Sequence, residues 1–182
     1  MEIERKWHML HAPELPVLSR TRMSQSYLSL LPEVRIRRYE NLLRGEADRF
    51  DLTIKSEGTL ARDEIIKPLT AEEYDALLRM TNGLAPIVKD HRTYDYEGHE
   101  LEFSVVDSDR AGGFTYAEIE FPSVEDARAF TAPDWFGEET TEQKGVRMKE
   151  YWRQTRLCPT DSSSCFFEQS GVSYESDTRT KG

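Results

Sequence analysis

Alternation of apolar and polar residues runs through most of the chain and predicts β-strands. Residues two apart in a strand point to the same side, so a strand with one buried face alternates in this way. Turn residues such as Pro32, Gly45, Gly58 and Gly98 separate several of the alternating stretches. Eight strands are predicted, at residues 2–9, 24–30, 33–39, 49–56, 61–69, 86–96, 99–106 and 114–121.

Helical signals interrupt this pattern in three places. Residues 70–73, Thr-Ala-Glu-Glu, form a capping box ahead of apolar residues at helical spacing. Ser123 is predicted to start a second helix, and Thr140 or Thr141 a third that runs to about residue 157. The fold class predicted is therefore mainly β (α+β), an antiparallel sheet with flanking helices.

The last part of the chain differs from the rest in composition. Residues 158–182 are rich in Ser, Thr and charge and show no periodicity, which predicts a disordered tail after a folded domain at residues 1–157. Cys158 and Cys165 are the only cysteines. No other thiol can join them in a metal site, and in a reducing compartment we expect both to be free thiols.

Chain length and net charge limit the number of domains and the binding partners that this protein can have. The chain has 182 residues, enough for one domain with a core, and a formal net charge of −10. A chain this acidic is not drawn to nucleic acid or to anionic membranes, so any polyanion must meet a local basic cluster. No apolar run is long enough to cross a bilayer, and no apolar segment follows the charged start, so we expect a cytoplasmic protein.

The polar faces of the predicted strands carry charges of both signs. The same-face sets are Glu2, Glu4 and Lys6; Arg35 and Arg37; Arg62 and Glu64; Glu100 and Glu102; and Glu118 and Glu120. One interpretation is a sheet with its charged face in water. The other is a barrel with its charged faces turned inward and its apolar faces covered by helices. Repeated Arg-x-Arg and Glu-x-Glu favours the second, because opposed sets suit a metal ion and a polyanion together.

These residue types match the chemistry of a triphosphate site. Arginine donates paired hydrogen bonds to phosphate, and Mg²⁺ or Mn²⁺ takes carboxylate oxygens. The candidate phosphate ligands are Lys6, Arg35, Arg37, Lys55 and Arg92, and the candidate metal ligands are Glu2, Glu4, Glu102, Glu118 and Glu120. A metal ion can orient a water for attack on phosphorus, and a free carboxylate can accept its proton.

Other chemistries find little support. The pair Gly112-Gly113 lacks the Lys-Ser/Thr of a P-loop, and no Gly-x-Ser-x-Gly motif is present. The four histidines, His8, His11, His91 and His99, show no zinc-site spacing.

Residues 2–6, Glu-Ile-Glu-Arg-Lys, resemble the Glu-x-Glu-x-Lys signature of the CYTH domain, the triphosphate tunnel metalloenzymes. Further segments resemble the family in its order, at residues 25–28, 34–37, 52–58, 100–102, 117–121 and 134–139. The resemblance covers about residues 2–150 and implies an eight-stranded antiparallel β-barrel that forms a tunnel. It assigns the two ligand sets as above, adds Lys144 as a substrate ligand, and makes Glu4 and Lys6 the catalytic residues.

The segment 134–139, Asp-Trp-Phe-Gly-Glu-Glu, resembles the bacterial inorganic triphosphatases. The expected function is metal-dependent hydrolysis of inorganic triphosphate to pyrophosphate and phosphate. The alternatives are a thiamine- or nucleoside-triphosphatase or adenylate cyclase of the same fold, and a non-catalytic triphosphate-binding module. The expected ligand is a triphosphate compound, and binding to nucleic acid or to a membrane is not expected. A homodimer is the assembly considered.

Three positions depart from the family pattern. Asp90 stands where relatives carry the Lys of a Lys-x-Arg pair, while the adjacent Lys89 is expected to face the other side. Ile66 stands where relatives often carry an acid. After Lys144, where the family usually has Arg-Tyr, this chain has Gly-Val, beginning at Gly145. These departures motivate the non-catalytic alternative.

Overall fold

The computed structural model describes residues 2–58, 60–143 and 147–158. Its strands form one antiparallel sheet. They are β1 (Glu2–His8), β2 (Ser19–Leu30), β3 (Glu33–Asn41), β4 (Arg49–Lys55), β5 (Ala61–Arg62), β6 (Glu64–Leu69), β7 (Ile87–Tyr96), β8 (His99–Val106) and β9 (Phe114–Glu120). The mainly β fold class is confirmed.

The sheet curls until its two edges nearly meet. The strand order is β5-β1-β9-β8-β7-β2-β3-β4-β6, and Asp63 alone separates the two outermost strands in sequence. Arg62 of β5 pairs with Glu2 of β1, while Glu64 of β6 pairs with Lys55 of β4. The predicted stretch 61–69 is thus two strands, because the chain changes neighbour at Asp63. Nine strands replace the predicted eight, and the result is a nearly closed barrel.

Within the described residues, three α-helices accompany the sheet: α1 (Ala71–Arg79), α2 (Val124–Ala129) and α3 (Met148–Trp152). The predicted capping box of α1 is confirmed, because the Glu73 amide donates to the Thr70 hydroxyl at 3.2 Å and the Thr70 amide donates to the Glu73 carboxylate at 2.8 Å. At α2 the Ser123 hydroxyl caps the helix by accepting from the Asp126 amide at 3.0 Å. A π-helical turn, Arg153–Leu157, continues α3.

The predicted start of the third helix is wrong. Helix α3 begins after Arg147, which makes no side-chain capping bond. Thr140 and Thr141 instead continue the contacts of strand β1: the Thr140 amide donates to the Lys6 carbonyl at 2.8 Å, and the Thr141 hydroxyl accepts from the Lys6 amide at 3.0 Å. The Thr141 hydroxyl, the group that would cap a helix, is thus bound to a strand instead.

Two hydrophobic clusters fill different places. The first lies outside the barrel, where Trp7, Phe103 and Ile119 pack with α2 and the segment that follows it. The second lies inside one end: Tyr27, Ile87, Val106 and Tyr116 share the inward faces of their strands and pack against Trp152 of α3. As predicted, helices cover apolar outer faces, whereas α3 fills part of the barrel interior.

Residues 159–182, most of the predicted disordered tail, lie outside the described residues, as do Cys165, Lys144 and Gly145. In the part of the chain that the structure describes, no helix is long and apolar enough to cross a membrane.

Candidate functional site

The inward faces of the strands enclose a cavity of about 470 Å³. Acidic and basic side chains line it: Glu2, Glu4, Glu33, Glu64, Glu102, Glu118 and Glu120 with Lys6, Arg35, Arg37, Lys55, Arg62, Lys89 and Arg147. Glu4, Arg35 and Lys55 are 7%, 7% and 3% exposed. The charged faces are therefore buried inside the barrel, which decides between the two interpretations of the alternation.

One side of the cavity is an ion-paired network, which we call the Arg62 wall (Glu2, Glu4, Lys55, Arg62 and Glu64). Lys55 Nζ donates to both carboxylate oxygens of Glu2, at 2.8 and 2.6 Å, and lies 3.0 Å from Glu64. Arg62 donates to Glu2 at 3.0 Å and to Glu4 at 2.7 Å. Burial opposes the charged form of Glu2, but Lys55 and Arg62 outweigh it and hold the pKa of Glu2 below its usual value. Each of the two cations on this wall therefore contacts two carboxylates.

The two arginines of β3 that line the cavity, Arg35 and Arg37, have longer contacts with their acidic partners. The guanidinium of Arg35 lies 4.0 Å from Glu33 and 3.6 Å from Glu64, and its buried Nε has no hydrogen-bond partner among the described residues. Arg37 donates to Asp51 over 3.4 Å from both Nε and Nη2. Because such contacts are at the long limit of hydrogen bonding, both groups keep donors for a ligand.

The opposite side of the cavity, which we call the Lys89 wall (Lys89, Glu102, Tyr116 and Glu118), is charged without being fully paired. Lys89 is 5% exposed and donates to the Tyr116 hydroxyl at 2.9 Å. In the described ranges, no carboxylate oxygen lies within 4.0 Å of its Nζ. Burial, with help from Arg35 and Arg37, lowers the pKa of Lys89 to about 7 even though Glu118 opposes the shift.

The acids of the Lys89 wall differ from each other. Lys6 Nζ contacts Glu118 at 2.5 Å and Glu4 at 3.0 Å. Burial opposes the charged form of Glu118, yet the positive charges of Lys6 and Lys89 hold the pKa of Glu118 below its usual value. Burial and the nearby Glu118 raise the pKa of Glu102 to about 8. His91 lies 3.8 Å from Glu102, but burial lowers the pKa of His91 to about 4, so the imidazole is neutral at pH 7.

The structure corrects the predicted faces of β7. Lys89 and His91 face inward, and Arg92 does not line the cavity. Arg92 lies 3.0 Å from Asp90, which also pairs with Arg20 at 2.6 Å. Hydrogen bonds from Arg20, then from Arg92, lower the pKa of Asp90 to about 2 despite partial burial. Lys89 thus occupies the place predicted for Arg92, and Asp90 takes no part in the cavity.

All the predicted metal ligands line the cavity, on three adjacent strands. Glu4 is directly opposite Glu120, and Glu102 is directly opposite Glu118. Like charges in such pairs repel, and a hard divalent cation relieves this repulsion while taking the oxygen ligands it prefers. The donor set therefore fits Mg²⁺ or Mn²⁺ in kind. As the side chains stand, no three acidic, histidine or cysteine groups of the described residues are close enough to hold an ion.

Several cavity residues were not among the predicted ligands. Arg62 and Glu64 were recognised only as a same-face charged pair, and Glu33 lies two residues before Arg35, so alternation alone could have placed all three. Ile66, which departs from the family pattern, also lines the cavity. The predicted ligand Lys144 lies outside the described residues.

Fold and site together define a β-barrel protein whose interior carries facing acidic and basic side chains. No family model matches the chain. An inorganic triphosphatase of Nitrosomonas europaea is 30% identical over 148 residues, which span 81% of this chain and 94% of that protein. The chain belongs to the CYTH family, the triphosphate tunnel metalloenzymes.

Solved structures agree with this assignment. A structure described as the inorganic triphosphatase NE1496 aligns with a TM-score of 0.56 at 25% identity, over 83% of this chain and 93% of that one. A second, described as the hypothetical protein NE1496, gives 0.57 at 25% identity, over 83% and 96%.

Proposed function

We propose that this protein hydrolyses inorganic triphosphate to pyrophosphate and phosphate, with Mg²⁺ or Mn²⁺ held by the cavity carboxylates. Lys89 carries the proposal. Among the residues that the structure describes, this buried lysine has no carboxylate within 4.0 Å, and it shares one cavity with two loosely held arginines, which is an arrangement suited to an anion. The 30% identity to a protein named as an inorganic triphosphatase supports the same substrate.

Substrate binding falls to the basic side chains. A triphosphate carries several negative charges, and Arg35 and Arg37 offer forked donors that suit phosphate oxygens. Lys6 and Lys55 add point charges, and we assign to Lys89 the role predicted for Arg92. Because Lys6 and Lys55 already contact glutamates, they exchange part of these contacts for phosphate when substrate binds.

Glu2, Glu4, Glu102, Glu118 and Glu120 would hold the metal ion. The chemistry that Mg²⁺ or Mn²⁺ supplies in such a site is neutralisation of phosphate charge and orientation of a water. We assign to Glu4 the acceptance of the proton from the attacking water. Lys6, whose Nζ lies 3.0 Å from the Glu4 carboxylate, holds that carboxylate in position and is the second catalytic residue.

A phosphate-release assay on the full-length protein tests this function. Tripolyphosphate, thiamine triphosphate and ATP are compared with Mg²⁺, with Mn²⁺ and with EDTA. We expect the fastest release from tripolyphosphate and none with EDTA. Undiminished release without metal would contradict the metal-assisted mechanism, and tripolyphosphate binding without release from any substrate would favour the non-catalytic alternative.

An organic triphosphate is the second candidate. Phe114, Met148 and Tyr151 line the cavity beside the charged groups and provide an apolar surface for a ring. Faster release from thiamine triphosphate or ATP than from tripolyphosphate, in the same assay, would select this candidate. A cytoplasmic location remains part of the proposal.

A further inference from the structure

One end of the barrel is crossed by a segment that we call the strap, residues 147–158, which comprises α3 and the π-helical turn. Strands β4 and β8 finish at this end and β5 and β7 start there, because neighbouring strands are antiparallel. The strap contacts the connection after β4 at its beginning and the connections beside β7 and β8 near its end. It therefore spans the opening from one side to the other.

The first anchor joins the strap to the β4–β5 connection. The Arg147 guanidinium donates a short hydrogen bond to the Gly58 carbonyl. Lys149 Nζ lies 2.6 Å from the Glu57 carboxylate. The Glu57 side chain is 60% exposed, so water weakens this ion pair.

The second anchor is buried. Arg156 pairs with Asp107 at 2.6 Å, and the two side chains are 2% and 1% exposed. Arg156 also donates to the Ala85 carbonyl at 3.1 Å and to the Pro86 carbonyl at 3.0 Å. The Tyr151 hydroxyl donates to Asp107 at 2.9 Å. Because both members of this ion pair make further hydrogen bonds, the pair holds the strap in one position. Removing either partner leaves the other buried without a counter-charge.

Between the anchors, the strap fills the barrel end. Trp152 is 1% exposed and packs 5.7 Å from the Tyr27 ring, inside the barrel. Met148, Tyr151 and Gln154 line the cavity from the same segment. An anionic chain cannot pass through this packed apolar layer without displacing it, because phosphates would lose their hydration against Trp152 and Tyr27.

We infer that the strap makes the cavity blind at this end and thereby restricts the enzyme to the ends of polyphosphate chains. The Asp107–Arg156 pair is the latch that keeps it closed. A long chain can then insert only a terminus and is cleaved near that terminus, whereas internal cleavage needs a chain that runs through the barrel. This specificity rests on the proposed function, since it presupposes phosphoanhydride hydrolysis in the cavity.

The test compares the products formed from long-chain polyphosphate by the full-length wild type, Arg156→Ala and Asp107→Asn, separated by length on gels. Opening the latch is expected to raise internal cleavage relative to phosphate release by about tenfold or more, as a lost buried pair shifts the closed–open equilibrium. Arg38→Ala is the matched control, because Arg38 also pairs at 2.6 Å, with Asp48, but on the exposed outer face. Its product pattern should equal that of the wild type.

Asp107→Asn keeps the side-chain size and the acceptor for the Val88 amide, so it tests the latch even if Arg156→Ala unfolds. Chains of intermediate length that form without matching phosphate release, from the latch variants alone, support the inference. Such products from the wild type, or a product pattern in folded Asp107→Asn that matches the wild type, overturn it. Failure of the wild type to release phosphate from tripolyphosphate would instead contradict the proposed function.

Discussion

The two sides of the cavity use the same residue types in different ways. On the Arg62 wall, Lys55 and Arg62 lie within 3.0 Å of carboxylates from Glu2, Glu4 and Glu64. On the Lys89 wall, Lys89 has a phenol as its hydrogen-bond partner, and Glu102 faces a neutral histidine. The cations of the Arg62 wall are thus paired with carboxylates, whereas the lysine of the Lys89 wall is paired with a neutral hydroxyl.

This difference separates stability from binding. A saturated ion-pair network offers few free donors, and its members depend on one another for charge compensation. An unpaired buried ammonium costs free energy in the empty protein and regains it when an anion arrives. We therefore expect the loss of Arg62, which has no assigned role in binding or catalysis, to act mainly on folding, and substitutions at Lys89 to act mainly on substrate binding.

Arg62→Ala gives the largest expected effect. It leaves Glu2 and Glu4 with fewer counter-charges inside the barrel, so the free energy of unfolding should fall by about 3 to 5 kcal/mol. Urea unfolding measures it. Arg38→Ala, which removes an exposed pair, should cost less than about 1 kcal/mol. Equal, small losses in both variants would show that the network does not stabilise the fold.

Arg35→Ala and Arg37→Ala come next. If both guanidinium groups, about 7 Å apart along the strand, bind neighbouring phosphates, each change should weaken tripolyphosphate binding by about 2 to 4 kcal/mol. Pyrophosphate should lose less if one arginine contacts the third phosphate. If they only neutralise Glu33, Glu64 and Asp51, stability falls but tripolyphosphate affinity stays at the wild-type level. Calorimetric titration of the folded variants distinguishes these outcomes.

Lys89→Met should leave the free energy of unfolding unchanged or raise it by about 1 to 2 kcal/mol, because it removes a buried charge that has no carboxylate within 4.0 Å in the described part of the chain. The exposed Lys67→Met on β6 is the control and should change little. Urea unfolding at pH 6.5, where the Lys89 amine is largely protonated, gives the comparison. Marked destabilisation by Lys89→Met alone would mean that the lysine belongs to the structural network.

The smallest expected effect concerns how tripolyphosphate affinity changes with pH. With its pKa near 7, Lys89 is charged below that pH and neutral above it. Tripolyphosphate affinity should therefore fall as pH rises from 6 to 8.5, by at most about tenfold per pH unit for one group. Lys89→Met removes this component and leaves the titration of the substrate itself. Parallel pH profiles for the two proteins would show that Lys89 does not titrate in this range.

Local patterns in the sequence predicted much of the fold. The capping box at residues 70–73 and the period-two charges of β1, β3 and β9 each depend on neighbours within a few residues, and the structure confirms them. The burial of these charged faces followed from their unusual clustering. The metal and substrate roles of these residues stay predictions.

Other features depend on contacts that a local pattern does not contain. In β7, Lys89, Asp90 and Arg92 put charges on both faces, so alternation cannot show which face is turned inward. That face is decided by the register between β7 and β2, in which Lys89 pairs with Met23. The division of stretch 61–69 reflects closure of the barrel. The Asp107–Arg156 pair joins residues 49 positions apart.

Calorimetric titration of wild type and Lys89→Met with tripolyphosphate, in EDTA at pH 6.5, tests the central claim most directly. At this pH Lys89 is largely protonated in the wild type, and without metal the titration reports binding alone. The account predicts that Lys89→Met keeps its fold and loses about 2 to 4 kcal/mol of binding free energy, as for a lost buried charge-assisted contact. Wild-type affinity in the folded variant would contradict it.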